Sequence, residues 1–259
     1  MQGLILFLIL IIPIGYFILR PRKSVSAPMP ATDTQLLQEH VPFYQYLSKE
    51  DQLIFQQKAM DFLSYVRVHG VNTTVSELDK LLVASSAVIP IFHFNNWHYH
   101  NLTDVLLYKD SFDADNFSTV EGNRNTLGMV GSGAMQRMMI LSQPALREGF
   151  KNEKDKNNTG IHEFVHLLDK EDGVTDGIPD ALLDKQYTLP WLKFMSEEIA
   201  EIKKGHSDIN IYGATNHAEF FAVASEYFFK QPAQFKEHHP ELYELMEKAF
   251  GIATEAQRP

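Results

Sequence analysis

The stretch Ile161-His162-Glu163-Phe164-Val165-His166 places two histidines four positions apart, with a glutamate directly after the first. On an α-helix, residues four apart project from one face, one turn above the other. Two imidazoles placed this way reach a single cation. Glu163, about 100° further round the helix, reaches a water on that cation without being a ligand. The chemistry open to such an arrangement is metal-assisted attack of water on a carbonyl. The spacing alone discriminates weakly in a chain with 11 histidines. No cysteine occurs, which excludes disulfides, thiolate metal sites and cysteine nucleophiles and leaves histidine and carboxylate as ligands.

A catalytic zinc takes three protein ligands and keeps a fourth position open. The source of a third is IYGATNHAEFFAVASEYFF, residues 211 to 229, where Glu219 and Glu226 share one face of an otherwise strongly apolar helix. Carboxylates on a buried face are costly unless paired or metal-bound. The residues alone leave two assignments open. Asn216 and Glu219 form a capping pair, with Glu226 reaching solvent beyond the apolar band, or one of the two glutamates is the ligand. His217 is turned away from the Glu219/Glu226 face. His206 follows Lys203-Lys204-Gly205 in a helix-ending turn, and His238 and His239, before Pro240, read as solvated loop residues. His93, His98 and His100 show no metal spacing. Asp169, seven after His162, is either an acceptor for an imidazole's second N–H or a surface residue at the helix end.

These residues need elements to position them. Ser48 with Asp51 opens a helix that continues to about Arg67 and is stopped by Gly70. A second, SELDKLLVASSAVIPIF, ends around Pro90. Strand-like runs lie near 103–112 and 136–143, joined by a connection rich in glycine, including Gly122, Gly128, Gly131 and Gly133. KNEKDKNN is a charged turn before the motif helix. A loop at 172–180 is followed by helices from about Trp191 to Lys204, from about Asn216 to Phe229, and from Pro240. The fold class expected is α+β, mainly helical, with a small sheet ahead of the motif helix.

Met1 to Leu19 carries no charged side chain and is followed by Arg20, Arg22 and Lys23. That length crosses a bilayer core of about 30 Å, and Pro13 and Gly15 are tolerated in lipid. Val25-Ser26-Ala27 resembles a cleavage site, but there is no basic segment before the apolar run, and Pro28 would begin the mature chain. The expectation is a single-pass anchor at 1–19, a linker at 20–40 and one domain at 41–259, on the cytoplasmic side of the inner membrane. A net charge of −10 argues against a nucleic-acid partner. Gly131-Ser132-Gly133 lacks the strand–loop–helix context and the lysine of a phosphate loop.

HEFVHLLDKEDGVTDGIP, then YGATNHAEFFAVASEYFFKQP, resembles the MtfA-type zinc peptidases, and LLVASSAVIPIF, DVLLYKDSF and MILSQPALREGF follow the same pattern over roughly residues 45 to 250. The resemblance implies a zincin-like, gluzincin-type domain. It implies Zn²⁺ held by His162, His166 and Glu219, with Glu163 as general base and Tyr212 supporting the reacting carbonyl. Asn158 matches a helix-start residue. The run Thr159-Gly160-Ile161 departs from a more apolar, bulkier family run, and Gly160 would loosen the helix start. The implied activity is hydrolysis of a peptide or protein lying along an exposed strand edge, with MMILSQ or DVLLYK as candidate edges. Since the family's namesake also binds a repressor, the resemblance implies a regulatory protein partner as the alternative role.

Overall fold

The computed structural model of the chain describes residues 28–95, 97–111, 127–131, 136–180 and 182–252. The apolar segment 1–19 lies outside them, as does the first part of the expected linker. Among the described residues no helix is long and apolar enough to cross a membrane. The remainder of the expected linker is not a linker: Ala31–His40 forms a helix, α1, with Leu37 fully buried in the core. The polar run ATDTQ masks it, because its apolar contacts are concentrated at Leu36 and Leu37 and leave no broad stripe to read.

Pro42–Tyr46 adds a short helix, α2, before the long α3, Lys49–Tyr65, whose cap Ser48 accepts the Asp51 N–H at 3.1 Å. The helix stops short of Gly70, and Arg67–Val71 is a strand, β1. Val66, Val68 and Val71 are β-branched and favour extended backbone. Pairing with a neighbouring strand then gives the segment its ladder. Ser76 and Asp79 form a full capping box for α4, Glu77–Val88.

Three more strands follow: β2, Asp104–Tyr108; β3, Gly128–Val130; and β4, Met138–Ser142. The sheet order is β1-β2-β4-β3, with β1, β2 and β4 parallel and β3 antiparallel to β4. The two strands expected from sequence are therefore the interior pair. This corrects the expected substrate edge, since neither DVLLY nor MMILS has a free side. Among the described residues the edges are β1 and β3, and β3 comes from the glycine-rich connection.

Ser142 caps α5, Gln143–Lys151, a helix not expected from the sequence. Asn158 caps the motif helix α6, Thr159–Asp169, by accepting the Ile161 N–H at 3.0 Å, which matches its expected role. Gly160 does not loosen that start. A Cβ there would stand 2.1 Å from Ser86 Oγ, so the glycine lets α6 close on α4. The chain finishes with α7, Thr188–Lys204; α8, His217–Lys230; α9, Pro232–His238; and α10, Pro240–Ala249. Central to the core is α8, with Phe220, Phe221, Ala224, Tyr227 and Phe228 all buried, and it packs against both α6 and α7.

Asp208, in the turn after α7, ties these helices together. It accepts bonds at 2.7 Å from Lys156, from Tyr227 of α8, and from His238 and His239 at the α9–α10 junction. His239 is not the solvated loop residue expected: it is 9% exposed, and its other ring nitrogen faces Glu198 of α7 at 3.4 Å. Burial would lower the His239 pKa, but the bonds to Glu198 and Asp208 outweigh it and raise it. Burial would likewise raise the Asp208 carboxyl, yet its four donors hold it well below the usual range. The signs set a window. The Asp208 contribution is complete above its unfolded pKa of about 3.9 and is lost as pH falls through the folded value. The His239 contribution is complete below its unfolded pKa of about 6.5 and is lost as pH rises through the folded value. Denaturant titrations across pH are expected to show this stability greatest between about pH 4 and 6.5. In Asp208→Asn the decline on the alkaline side should flatten; an unchanged decline would locate the titrating group elsewhere.

Candidate metal centre

The two imidazoles of α6 and the Glu219 carboxylate of α8 converge. His162 Nε2 lies 3.0 Å from Glu219 Oε2 and 3.1 Å from His166 Nε2, and His166 Nε2 lies 3.5 Å from the same carboxylate oxygen. Donor atoms about 2.0–2.1 Å from a tetrahedral zinc stand roughly 3.3–3.4 Å from one another. The triangle matches that requirement, and the donor set is nitrogen and oxygen as a borderline cation prefers. Among the described residues it is the one group of three or more His, Asp or Glu side chains whose atoms gather closely enough to hold a metal.

The alternatives for Glu219 prove compatible. Asn216 caps α8 by accepting the backbone N–H of Glu219 at 2.9 Å, which leaves the Glu219 side chain free to face the histidines. Glu226 does not reach solvent. It is 5% exposed, and its carboxylate bonds His162 Nδ1 at 2.7 Å and also takes the backbone N–H of Asn158. With Nδ1 donating to Glu226, the proton of a neutral His162 is fixed on that nitrogen and the Nε2 lone pair points into the triangle. Asp169 is buried, but both its oxygens face the Gly177 N–H at 3.0 Å rather than an imidazole. Among the described residues, His166 Nδ1 is buried without a hydrogen-bond partner.

Glu163 is 6% exposed. Burial pushes its carboxyl pKa up, against the pull of His162 and His166. For Glu219 the balance is reversed: burial would raise it, but the bonds to His162 and His166 bring it down to about 2. Burial would lower His162, yet Glu226 and Glu219 hold it well above its ordinary value. Two carboxylates in one site are thus separated, Glu219 as a committed anion and Glu163 nearer to neutrality. Such a separation is what allows one to bind and the other to exchange protons. Tyr212 sits on a short turn, Ile211–Ala214, with its ring centroid 6.0 Å from that of His162. Its hydroxyl is kept protonated by partial burial and by the Glu219 and Glu163 charges.

A cleft of about 820 Å³ opens over the triangle, lined by His162, Glu163, His166, Glu219, Tyr212 and the strand β3. A second hollow shares Gly128, His162, Glu163 and Tyr212 with it. All five residues expected at the site are therefore together. His217, though turned from the ligand face, lines the cleft rim. Two participants are not expected from sequence, Glu226 as the partner of His162 and β3 as the wall. A glutamate inside AVASEYFF is the signal for the first; a three-residue strand in a glycine-rich stretch offers none for the second.

Comparison with known proteins gives a match of residues 18–251 to the family described as glucose-regulated metallo-peptidase M90. An uncharacterized protein of Synechocystis sp. is 26% identical over 243 residues, covering 90% of this chain and 88% of the relative. The Mlc titration factor A of Escherichia fergusonii is 28% identical over 227 residues, covering 82% and 83% of the two chains. That of Pectobacterium atrosepticum is 24% identical over 225 residues, covering 81% and 82%.

Proposed function

The chain belongs to the glucose-regulated metallo-peptidase M90 family, and on that premise we propose that it is a zinc-dependent peptidase of the zincin type that hydrolyses peptide bonds. The observation that carries this reading is the His162–His166–Glu219 triangle with a buried, non-ligating Glu163 beside it. Zinc there would supply a Lewis acid that polarises the substrate carbonyl and acidifies water. The chain's own residues do the rest. Glu163 takes the proton of the attacking water and returns it to the leaving amine. Tyr212 donates its hydroxyl proton in a hydrogen bond to the oxyanion, a contact of a few kcal/mol when preorganised. Glu226 holds the His162 ring in the ligating tautomer. The substrate adds by main-chain bonds to the side of β3 that no described strand occupies.

The test is elemental analysis and turnover on the purified full chain. Near-stoichiometric zinc, with cleavage of a peptide library that stops on chelation and returns on adding zinc, is the expected result. A chain that takes up no metal on titration sinks the proposal. Membranes of cells that make the full chain test the N-terminal anchor, which we propose from the uncharged run 1–19 and its basic flank. The chain should stay in the cytoplasmic-membrane pellet after alkaline carbonate extraction, and release into the supernatant would refute it.

A second reading rests on the relatives named Mlc titration factor A. On it, the domain docks a regulatory protein and the metal site supports the fold. Loss of the cellular effect in a base-dead variant favours catalysis, and an unchanged effect favours docking.

A further inference from the structure

Gly128 stands on the edge strand β3, and its neighbour is the Glu163 side chain. A Cβ built at Gly128 would lie 2.6 Å from Glu163 Cγ, 2.6 Å from Oε1 and 2.8 Å from Cδ. Real Cβ atoms do not approach others so closely, so any side chain at 128 requires something to move. The backbone there does not need glycine's conformational freedom, since Gly128 is not among the positive-φ glycines. What the position uses is the empty volume.

Which part would move follows from how each is held. The strand is tied down: Gly128 pairs with Leu141 of β4, and the Ser142 N–H donates to the Leu127 carbonyl at 2.7 Å. The motif helix is tied as well, by its Asn158 cap and by the close approach of Gly160 to Ser86. Between two fixed backbones lies the Glu163 side chain, with rotatable bonds and, among the described residues, no hydrogen bond that locks it. It is the softest of the three. The fold would absorb a methyl group at 128 by turning the carboxylate away.

We propose that Gly128 is a positioning residue for Glu163: the missing side chain on the edge strand defines the space in which the carboxylate is held against the metal triangle. This rests on the reading of Glu163 as general base. The same absence of a side chain keeps Glu163 reachable from both hollows that meet at this strand, and both are lined by Gly128 together with Glu163. A misplacement of about 1 Å at a reacting group costs on the order of 100-fold in rate.

The experiment is Gly128→Ala in the full chain, examined by crystal structure and by kinetics. Zinc content and KM are expected to stay at wild-type values, kcat to fall by about 100-fold, and the carboxylate of Glu163 to be displaced while the β3–β4 pairing persists. A distorted strand is the other way to absorb the methyl group, so the variant is paired with Glu163→Ala, which removes the colliding atoms. In that background, adding Gly128→Ala should leave the melting temperature where it was. A Glu163 carboxylate in its original place in Gly128→Ala, or the same loss of melting temperature in both backgrounds, would overturn the positioning role whatever the activity. A wild type that binds zinc yet cleaves no peptide would overturn the hydrolase reading, and the carboxylate displacement would still decide the contact.

Discussion

Glu163→Gln is expected to reduce peptide hydrolysis by about 10²–10⁴-fold while the chain keeps its metal. The amide has the shape of the carboxylate but cannot take a proton from water, and Glu163 is not one of the three atoms of the triangle. Its replacement removes a base and leaves the ligands as they are. Zinc content by elemental mass spectrometry and turnover of a cleavable peptide on one sample separate the two roles. Retained turnover would remove Glu163 from the mechanism, and lost zinc would mean that it ligates.

Stability gives an independent reading of the same substitution. Burial raises the Glu163 carboxyl in the folded chain. A group with a raised folded pKa contributes stability below its unfolded value, about 4.3 for a glutamate, and loses it as pH rises through the folded value. At neutral pH the metal-free chain therefore carries a penalty at Glu163 that glutamine does not. The metal-free variant should melt at the wild-type temperature or above it, with the gap widening as pH rises from about 4.3 through the folded value. Gain of stability with loss of activity is the mark of a group held in an environment that suits its chemistry rather than the fold.

What could be read in the residues is what depends on local spacing. His162 and His166 follow from helical period, Ser48 and Asn216 from the chemistry of caps, and Asn158 and Glu219 from the resemblance. The misjudged parts depend on what packs from elsewhere. β1 reads as the end of a helix until β2 is there to pair with it. Three residues at β3 form a strand because β4 supplies the partner, and they form a wall because α6 passes beneath. Asp169 reads as an imidazole's acceptor or a surface residue, and His239 as a solvated loop residue, since their partners lie at Gly177 for the first and at Glu198 and Asp208 for the second. Gly160 reads as a weak helix former, and only the nearness of Ser86 makes it a requirement.

Glu219 and Glu226 give the second large expected effect, and the contrast between them tests which carboxylate ligates. Glu219→Ala removes one corner of the triangle, so zinc should fall from stoichiometric to trace on a sample dialysed without added metal. Glu226→Ala removes the acceptor behind His162, and the expected loss is the 10–100-fold in metal affinity typical of such partners, measured by competition with a chromophoric chelator. Glutamine at 226 should not rescue it. The Glu226 carboxylate faces two N–H groups, one oxygen toward His162 Nδ1 and the other toward the Asn158 backbone. An amide offers one oxygen and one NH₂, so whichever way it turns, a donor faces a donor in a buried place. The cost is about 1–3 kcal/mol. It falls either on the tautomer of His162 or on the N-terminal turn of α6, which carries the same histidine. Glu226→Gln is thus expected to lose both zinc affinity and melting temperature, whereas Glu219→Gln should lose zinc at little cost to the metal-free fold. If Glu226→Ala empties the site and Glu219→Ala leaves it filled, the ligand is Glu226.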